Sequence, residues 1–547
     1  MKLDLLLSAG TILTLDTDRP TAERVGVLGG RIVGFDEEID GLEAARTVDF
    51  GSGTITPGLI DAHCHAIWWG LNLAQADYSH IRKLEDFFEV LSEQVSRIPA
   101  QPDPGRWLLG HSFNQYSSGS EYPRLEEIDR ITGNVPLYIR HASGHAAIVN
   151  SAALRMIGAL EPGFSDPTGG VVCRDESGRP TGLLEEAAQA LAQAHILPFP
   201  LSELVDALDE ATNRFAAQGI TSFGEAGIGA GWISHSPVEF AAYQQAVSEG
   251  RLHARAQLMP VLDALQPLSA HQSDFFGAEE SIGLSLGIGS GFGNASLRLG
   301  HVKVFLDGAL VSKTAAVSDV MCSHGSGHGY LLGEPAEYRR RTLAAYRAGW
   351  PLALHAIGDI AIDLALDLIA EAQEKYGLLS VPNRIEHFGL SRPEQVERAG
   401  ALGISVVPQM GFIRDLGDQL IASVDPERES WLYRGRSVID AGAGLIGSSD
   451  LPVIGNNIRM AMDAAVQRTT SSGRVLNSAE RIDRSEALRM HTVWAAHAMG
   501  LSDDRGTLER GKLADFTVFS GNPLTSSTMQ ELEILATFVG GKETYAK

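Results

Sequence analysis

Six side chains suited to holding divalent cations are spread along a chain of 547 residues: His63 and His65 in GLIDAHCH, Lys303 in GHVKVFLDGAL, His355 in LALHAIGD, His387 in RIEHFG and Asp450 in LIGSSDLP. Alternate side chains of a strand share a face, so His63 and His65 point to one side and can grip one ion, while Cys64 points away. An isolated H-x-H pair is common by chance, and a single histidine at a strand end is ordinarily hydrogen-bonded to a backbone carbonyl. That plain reading serves for His355 or His387 alone. It serves poorly when both fall in step with a histidine pair before them and an acid after them.

Lys303 lies inside the apolar run KVFLDG, where an ammonium is costly to bury unless paired or neutralised. Reaction with CO2 would convert it to a carbamate, an anionic two-oxygen ligand able to bridge two cations. The competing assignment is a salt bridge to a carboxylate such as Asp307. Asp450, at the end of its run, can bind a metal, accept the proton of an attacking water and return it to a leaving nitrogen. Its competing role is to cap the helix that follows.

Residues this far apart converge only if the elements carrying them do. Eight short β-rich runs are legible: Leu59 to His63, Ile220 to Phe223, Leu252 to Pro260, His301 to Leu306, Pro351 to His355, Arg384 to His387, Ile404 to Pro408, and Gly444 to Ser448. Several precede helical patterns such as PVEFAAYQQAVSEG, PAEYRRRTLAAYRAG and DIAIDLALDLIAEAQEKYG, with apolar residues three or four apart. Alternating strands and helices predict an α/β fold, a (β/α)8 TIM-like barrel, over 57–65 and 217–501. Strand-like runs meeting at Gly29-Gly30 and Gly540-Gly541 predict hairpins at both ends of the chain, forming one small β-sandwich domain from 1–56 and 502–547. Residues 66–216 break the rhythm with aromatic and Gly/Pro-rich pieces and read as an inserted α+β subdomain over the barrel mouth.

Composition excludes several classes. A net charge of −24, with no basic patch to offset it, argues against nucleic acid and anionic membrane surfaces as partners. Three scattered cysteines, Cys64, Cys173 and Cys322, make no disulfide framework and suit a cytoplasmic location. The apolar centre of MKLDLLLSAG is too short and too interrupted for a signal peptide or membrane span.

The chain resembles the amidohydrolase superfamily, and within it the branch of N-substituted formamide deformylases and YtcJ-like proteins. TPGLIDAHCH, GHAAIVNSAAL, DPTGGVVCRDESGRPTGLLEE, KVFLDGALVSKTA, LHAIGDIAID, RIEHFGLS, GSSDLPV and GTLERGKLADFTVFSGNPL carry the resemblance along nearly the whole length. It implies one or two zinc ions: His63 and His65 on the more buried one, carboxylated Lys303 bridging, and His355 and His387 on the second. Asp450 would be ligand and general base. Relatives commonly show a Gly-Trp-Asp-like segment where this chain has His111-Ser112-Phe113-Asn114-Gln115, so Asn114 and Gln115 are expected to bear on substrate contacts. His145, in SGHAAIVNS, is a further candidate for substrate contact, with a structural hydrogen bond as its alternative role.

The implied activity is hydrolysis of a non-peptide C–N bond in a small amide of the N-substituted formamide type, by metal-activated water. The same centre could instead open a cyclic amide, cleave a carbamate or urea, or deaminate a ring. A non-catalytic scaffold should have lost ligands, whereas all six are present. The expected partner is a small-molecule amide, and a homodimer is the assembly considered.

Overall fold

The computed structural model describes residues 2–97, 106–115, 119, 121–142, 144, 146–167, 169–271, 273–275, 280–318, 329–455 and 457–547. The chain divides into two compact units, the first of Met1–Ala66, Leu208–Ser234 and Val238–Lys547, the second of Ile67–Ala207 and His235–Pro237.

In the first unit, parallel strands follow one another in chain order: β1 (Leu59–Cys64), β2 (Ile220–Ile228), β3 (Arg255–Pro260), β4 in two pieces (Leu297–Leu299 and Val302–Phe305), β5 (Leu352–Ala356), β6 (Arg384–His387), β7 (Ser405–Val407) and β8 (Gly444–Leu445). The first piece of β4 pairs with β3, β3 with β2, and β2 with β1; its second piece begins the series through β5, β6 and β7 to β8. A bridge between Val261 and Lys303 and a bond from Gly300 N to Leu258 O (2.8 Å) hold β3 to β4. Bonds from Ala62 N to Gly447 O (3.2 Å) and from Asp450 N to His63 O (2.8 Å) hold the segment after β8 against β1, closing the ring as a (β/α)8 barrel. These strands read as nearly continuous apolar runs because both faces are covered, as parallel strands require.

The helices follow the expected periodicity. Asp359–Tyr376 buries Ala361, Ile362, Ala365, Leu366, Leu368, Ile369 and Ala372, spaced to form one apolar stripe, and stops at Gly377, whose φ of 78° suits a glycine. Glu239–Ser248 and Pro335–Arg347 occupy the other two predicted helical segments.

Strands from both ends of the chain share one eight-stranded sheet, in which Phe516–Phe519 pairs with Thr54–Pro57. Its terminal hairpins turn at Gly29-Gly30 and Gly540-Gly541, each with φ of 60° and 74°, a conformation that residues with a Cβ rarely adopt. The sheet is tied to the barrel by the buried pair Arg255 and Asp515, with Nε to Oδ2 at 2.8 Å and Nη2 to Oδ1 at 2.9 Å.

The second unit carries a six-stranded mixed sheet in the order Gly170–Arg174, Pro180–Glu186, Ala146–Val149, Leu137–His141, Leu108–Phe113 and Ala76–Asp77. Its first segment ends at Ala207, within the helix Leu201–Ala217.

Candidate metal centre

The ends of β1 and β6 and the residues just beyond β8 converge. His63, His387 and Asp450 each offer a ligand atom within 4.8 Å of the others, and all three are buried. His63 Nε2 and His65 Nε2 each lie 3.2 Å from Asp450 Oδ1, so the alternation along β1 puts both rings on one carboxylate. Cys64, between them, turns away toward Gly224 O at 3.7 Å. The His63 ring centroid is 5.1 Å from that of His387, which is 4.4 Å from that of His355.

The strand ends bend to achieve this. His387, Phe388 and Asp450 have φ of 70°, 51° and 55°, a left-handed region that costs a residue with a Cβ about 1–3 kcal/mol. Asp450 is held there by its neighbour: Ser449 donates from N (3.0 Å) and Oγ (2.5 Å) to the two oxygens of Asp61 on β1. Burial pushes Asp61 up to about 6 against those hydrogen bonds.

Lys303 on β4 is fully buried, and its Nζ has no hydrogen-bond partner among the described residues. Its Nζ lies over the face of Phe305, 4.7 Å from the ring centroid. Burial pushes Lys303 down to about 8, while its charge in turn lowers His65, His355 and His387. The alternative of a Lys303–Asp307 salt bridge is not the arrangement found. Asp307 accepts the backbone amides of Ala316 (3.0 Å), Ile357 (3.0 Å) and Gly358 (2.8 Å), which engage both of its oxygens.

His355 reaches Gly308 O through Nε2 at 3.1 Å. Burial drives His65 down to about 4, His387 to about 3 and His355 well below the usual histidine range, so these imidazoles are neutral near pH 7, the state in which an imidazole can ligate a cation. Burial raises Asp450, but hydrogen bonds and charge from His63, with help from His65 and His387, hold it well below the ordinary carboxylate range.

A divalent cation fits this donor set. Neutral buried imidazoles, an ionised carboxylate and a buried amine with no hydrogen-bond partner among the described residues are the donor types such an ion takes. His63, His65, His355, His387, Asp450 and Lys303 are the residues that would hold it.

Two of the three predicted substrate residues are carried by the second unit. Asn114 and Gln115 follow the strand Leu108–Phe113 of the second unit, where Gln115 Oε1 pairs with His141 Nε2 at 2.6 Å. His145 and Cys322 lie outside the described residues.

Sequence reasoning passed over the groups behind the ligands. Glu386, inside the same RIEHFG motif as His387, bonds His63 Nδ1 and is itself paired with Arg384. Gln409, beyond β7, lies 2.6 Å from His387 Nδ1. Glu225 on β2 receives Ala66 N at 2.8 Å and the Tyr243 hydroxyl. An acid buried in an apolar strand, as at Glu386 and Glu225, was the available signal; Gln409 carried none.

A family model described as the amidohydrolase family matches residues 46–545. N-substituted formamide deformylase of Arthrobacter pascens is 31% identical over 100% of this chain and 98% of its own length. Protein LONG AFTER FAR-RED 3 of Arabidopsis thaliana is 30% identical over 99% of this chain and 91% of its own length. Among solved structures, a metal-dependent hydrolase from Pyrococcus horikoshii OT3 superposes with a TM-score of 0.74 at 25% identity, covering 96% of this chain and 99% of that one. The chain belongs to the amidohydrolase family and is a metal-dependent hydrolytic enzyme acting on C–N bonds.

Proposed function

We propose that this enzyme hydrolyses a small N-substituted formamide or a close amide relative, releasing formate (or the corresponding acid) and an amine. The observation that carries the reading is the meeting of His63, His387 and Asp450, with Lys303 buried on β4 and its amine without a hydrogen-bond partner among the described residues. The likeness to a formamide deformylase along its whole length supports the choice of substrate class. Zinc is the proposed metal, since imidazole nitrogen and carboxylate oxygen suit it, and Lys303 is proposed to act as its carbamate.

A bound divalent cation supplies Lewis acidity, making water a better nucleophile near neutrality and polarising the acyl carbonyl. The residues of the chain do the rest. Asp450, ionised and buried, accepts a proton from the water as it adds to the carbonyl carbon. It returns that proton to the departing nitrogen, so water is consumed and the C–N bond alone is broken. His65, His355 and His387, neutral at this pH, offer lone pairs rather than protons. The carbamate of Lys303 would also remove the buried positive charge that the bare lysine brings.

A panel of N-substituted formamides, lactams, carbamates, ureas and aminated rings, offered to zinc-loaded protein, tests the reading. Turnover of formamides above the other classes is expected. Preference for a cyclic amide, urea or ring amine would replace the substrate class while keeping the centre.

A further inference from the structure

The two histidines that face each other in the centre are backed by different chemistry. His387 Nδ1 lies 2.6 Å from Gln409 Oε1. The orientation of Gln409 is fixed from its other end, where Nε2 donates to Val407 O (3.1 Å) and Ser448 Oγ (3.0 Å). Its oxygen must therefore accept, which puts the His387 proton on Nδ1 and leaves Nε2 with its lone pair for the centre.

His63 reaches the same tautomer against a different partner. Its Nδ1 bonds Glu386 Oε2, an acceptor-only carboxylate. Arg384 holds that carboxylate with Nε on Oε1 (2.5 Å) and Nη2 on Oε2 (2.8 Å), and Nη2 also reaches Ala62 O on β1 (2.8 Å). Both His63 and Glu386 are almost fully buried, so no solvent weakens the contact.

His65 Nε2 lies 3.2 Å from Asp450 Oδ1, the same oxygen that His63 Nε2 faces at 3.2 Å, so Asp450 does not distinguish those two rings. His63 and His387 do differ: an anion stands behind the first and a neutral amide behind the second.

We infer that Glu386 is a positioning residue that locks His63 as an Nε2 donor and strengthens it, so that the tightest-bound cation is the one His63 holds. This rests on the metal-dependent reading of the centre. A carboxylate hydrogen-bonded to a ligating imidazole raises the basicity of the ligand, and losing such a partner typically costs 10–100-fold in metal affinity.

The substitution Glu386→Gln tests it sharply. Both Glu386 oxygens accept from N–H donors, so a glutamine must turn its NH2 group against either Arg384 or the His63 ring. Zinc affinity measured by competition with a chromophoric chelator is expected to fall about 10–100-fold for the tightest-bound ion. The visible spectrum of the cobalt(II)-loaded variant should shift, because the tautomer or the basicity of the His63 donor changes. A purely structural role would lower the unfolding temperature in excess EDTA and leave affinity and spectrum alone.

Should E386Q not fold, R384M/E386Q removes both buried charges together and lets the glutamine oxygen face His63. It is expected to keep the tautomer and lose several-fold in affinity. A folded variant of either kind that binds its tightest zinc within twofold of wild type overturns the assignment. Wild-type protein that takes up no zinc or cobalt overturns the metal-dependent reading and this inference with it.

Discussion

Replacing Lys303 by methionine separates what the lysine costs from what it does. Methionine keeps nearly the same length and removes an amine that is fully buried with no hydrogen-bond partner among the described residues. A buried donor left unsatisfied costs about 1–3 kcal/mol. Burial also pushes Lys303 from 10.5 down to about 8, which at about 1.4 kcal/mol per pH unit gives a penalty of about 3 kcal/mol. Metal-free K303M, kept free of bicarbonate, should therefore be more stable than wild type at pH 7 by about 1–3 kcal/mol. The pH dependence has a definite sign. Between about 8 and 10.5 the unfolded chain keeps the lysine proton that the folded protein has lost, so wild-type stability rises with pH across that window. The advantage of K303M is full at pH 7 and shrinks as pH rises through that window. Urea unfolding in EDTA, followed by tryptophan fluorescence at both ends of the window, measures it. Turnover should vanish in the same variant, and a short carboxylic acid supplied with zinc should restore part of it by standing in for the proposed carbamate. A K303M protein less stable than wild type at pH 7, or one whose advantage does not change with pH, would refute the reasoning.

Asp450→Asn should lower kcat about 10²–10⁴-fold while the protein still binds at least one metal; steady-state kinetics with metal analysis checks both, and full activity removes Asp450 from proton transfer. Removing metal with a chelator should abolish turnover and zinc should restore it, whereas activity that persists after complete removal contradicts the hydrolytic scheme. Asp515→Asn breaks the buried pair with Arg255 that ties the terminal sheet to β3, and chemical denaturation should show a loss of about 3–5 kcal/mol. Gly447→Ala would put a Cβ 2.4 Å from the ring of His491, and overpacking of about 1–3 kcal/mol should appear as a lower denaturation midpoint.

The barrel was legible because each strand is a short apolar run ending in a loop, and the burial that makes such runs apolar is the burial that parallel strands require. The predicted runs differ from the strands mainly at their ends: Leu252 to Pro260 begins late, at Arg255, and the run that starts at His301 is joined by an earlier piece, Leu297–Leu299. The ligand candidates were legible because a histidine or lysine in such a run demands a reason. Their supports were not. Glu386 lies 323 residues from His63, and which acid backs which histidine depends on how the ring closes. Gln409 is neutral, and only its pinned amide reveals its use.

Diffraction from zinc-loaded crystals at the zinc absorption edge tests the central claim most directly. The strongest anomalous peak is expected within coordinating distance of His63 Nε2 and Asp450, with electron density extending Lys303 as a carbamate toward it. A strongest peak remote from these residues, or none in a zinc-loaded crystal, would contradict the account.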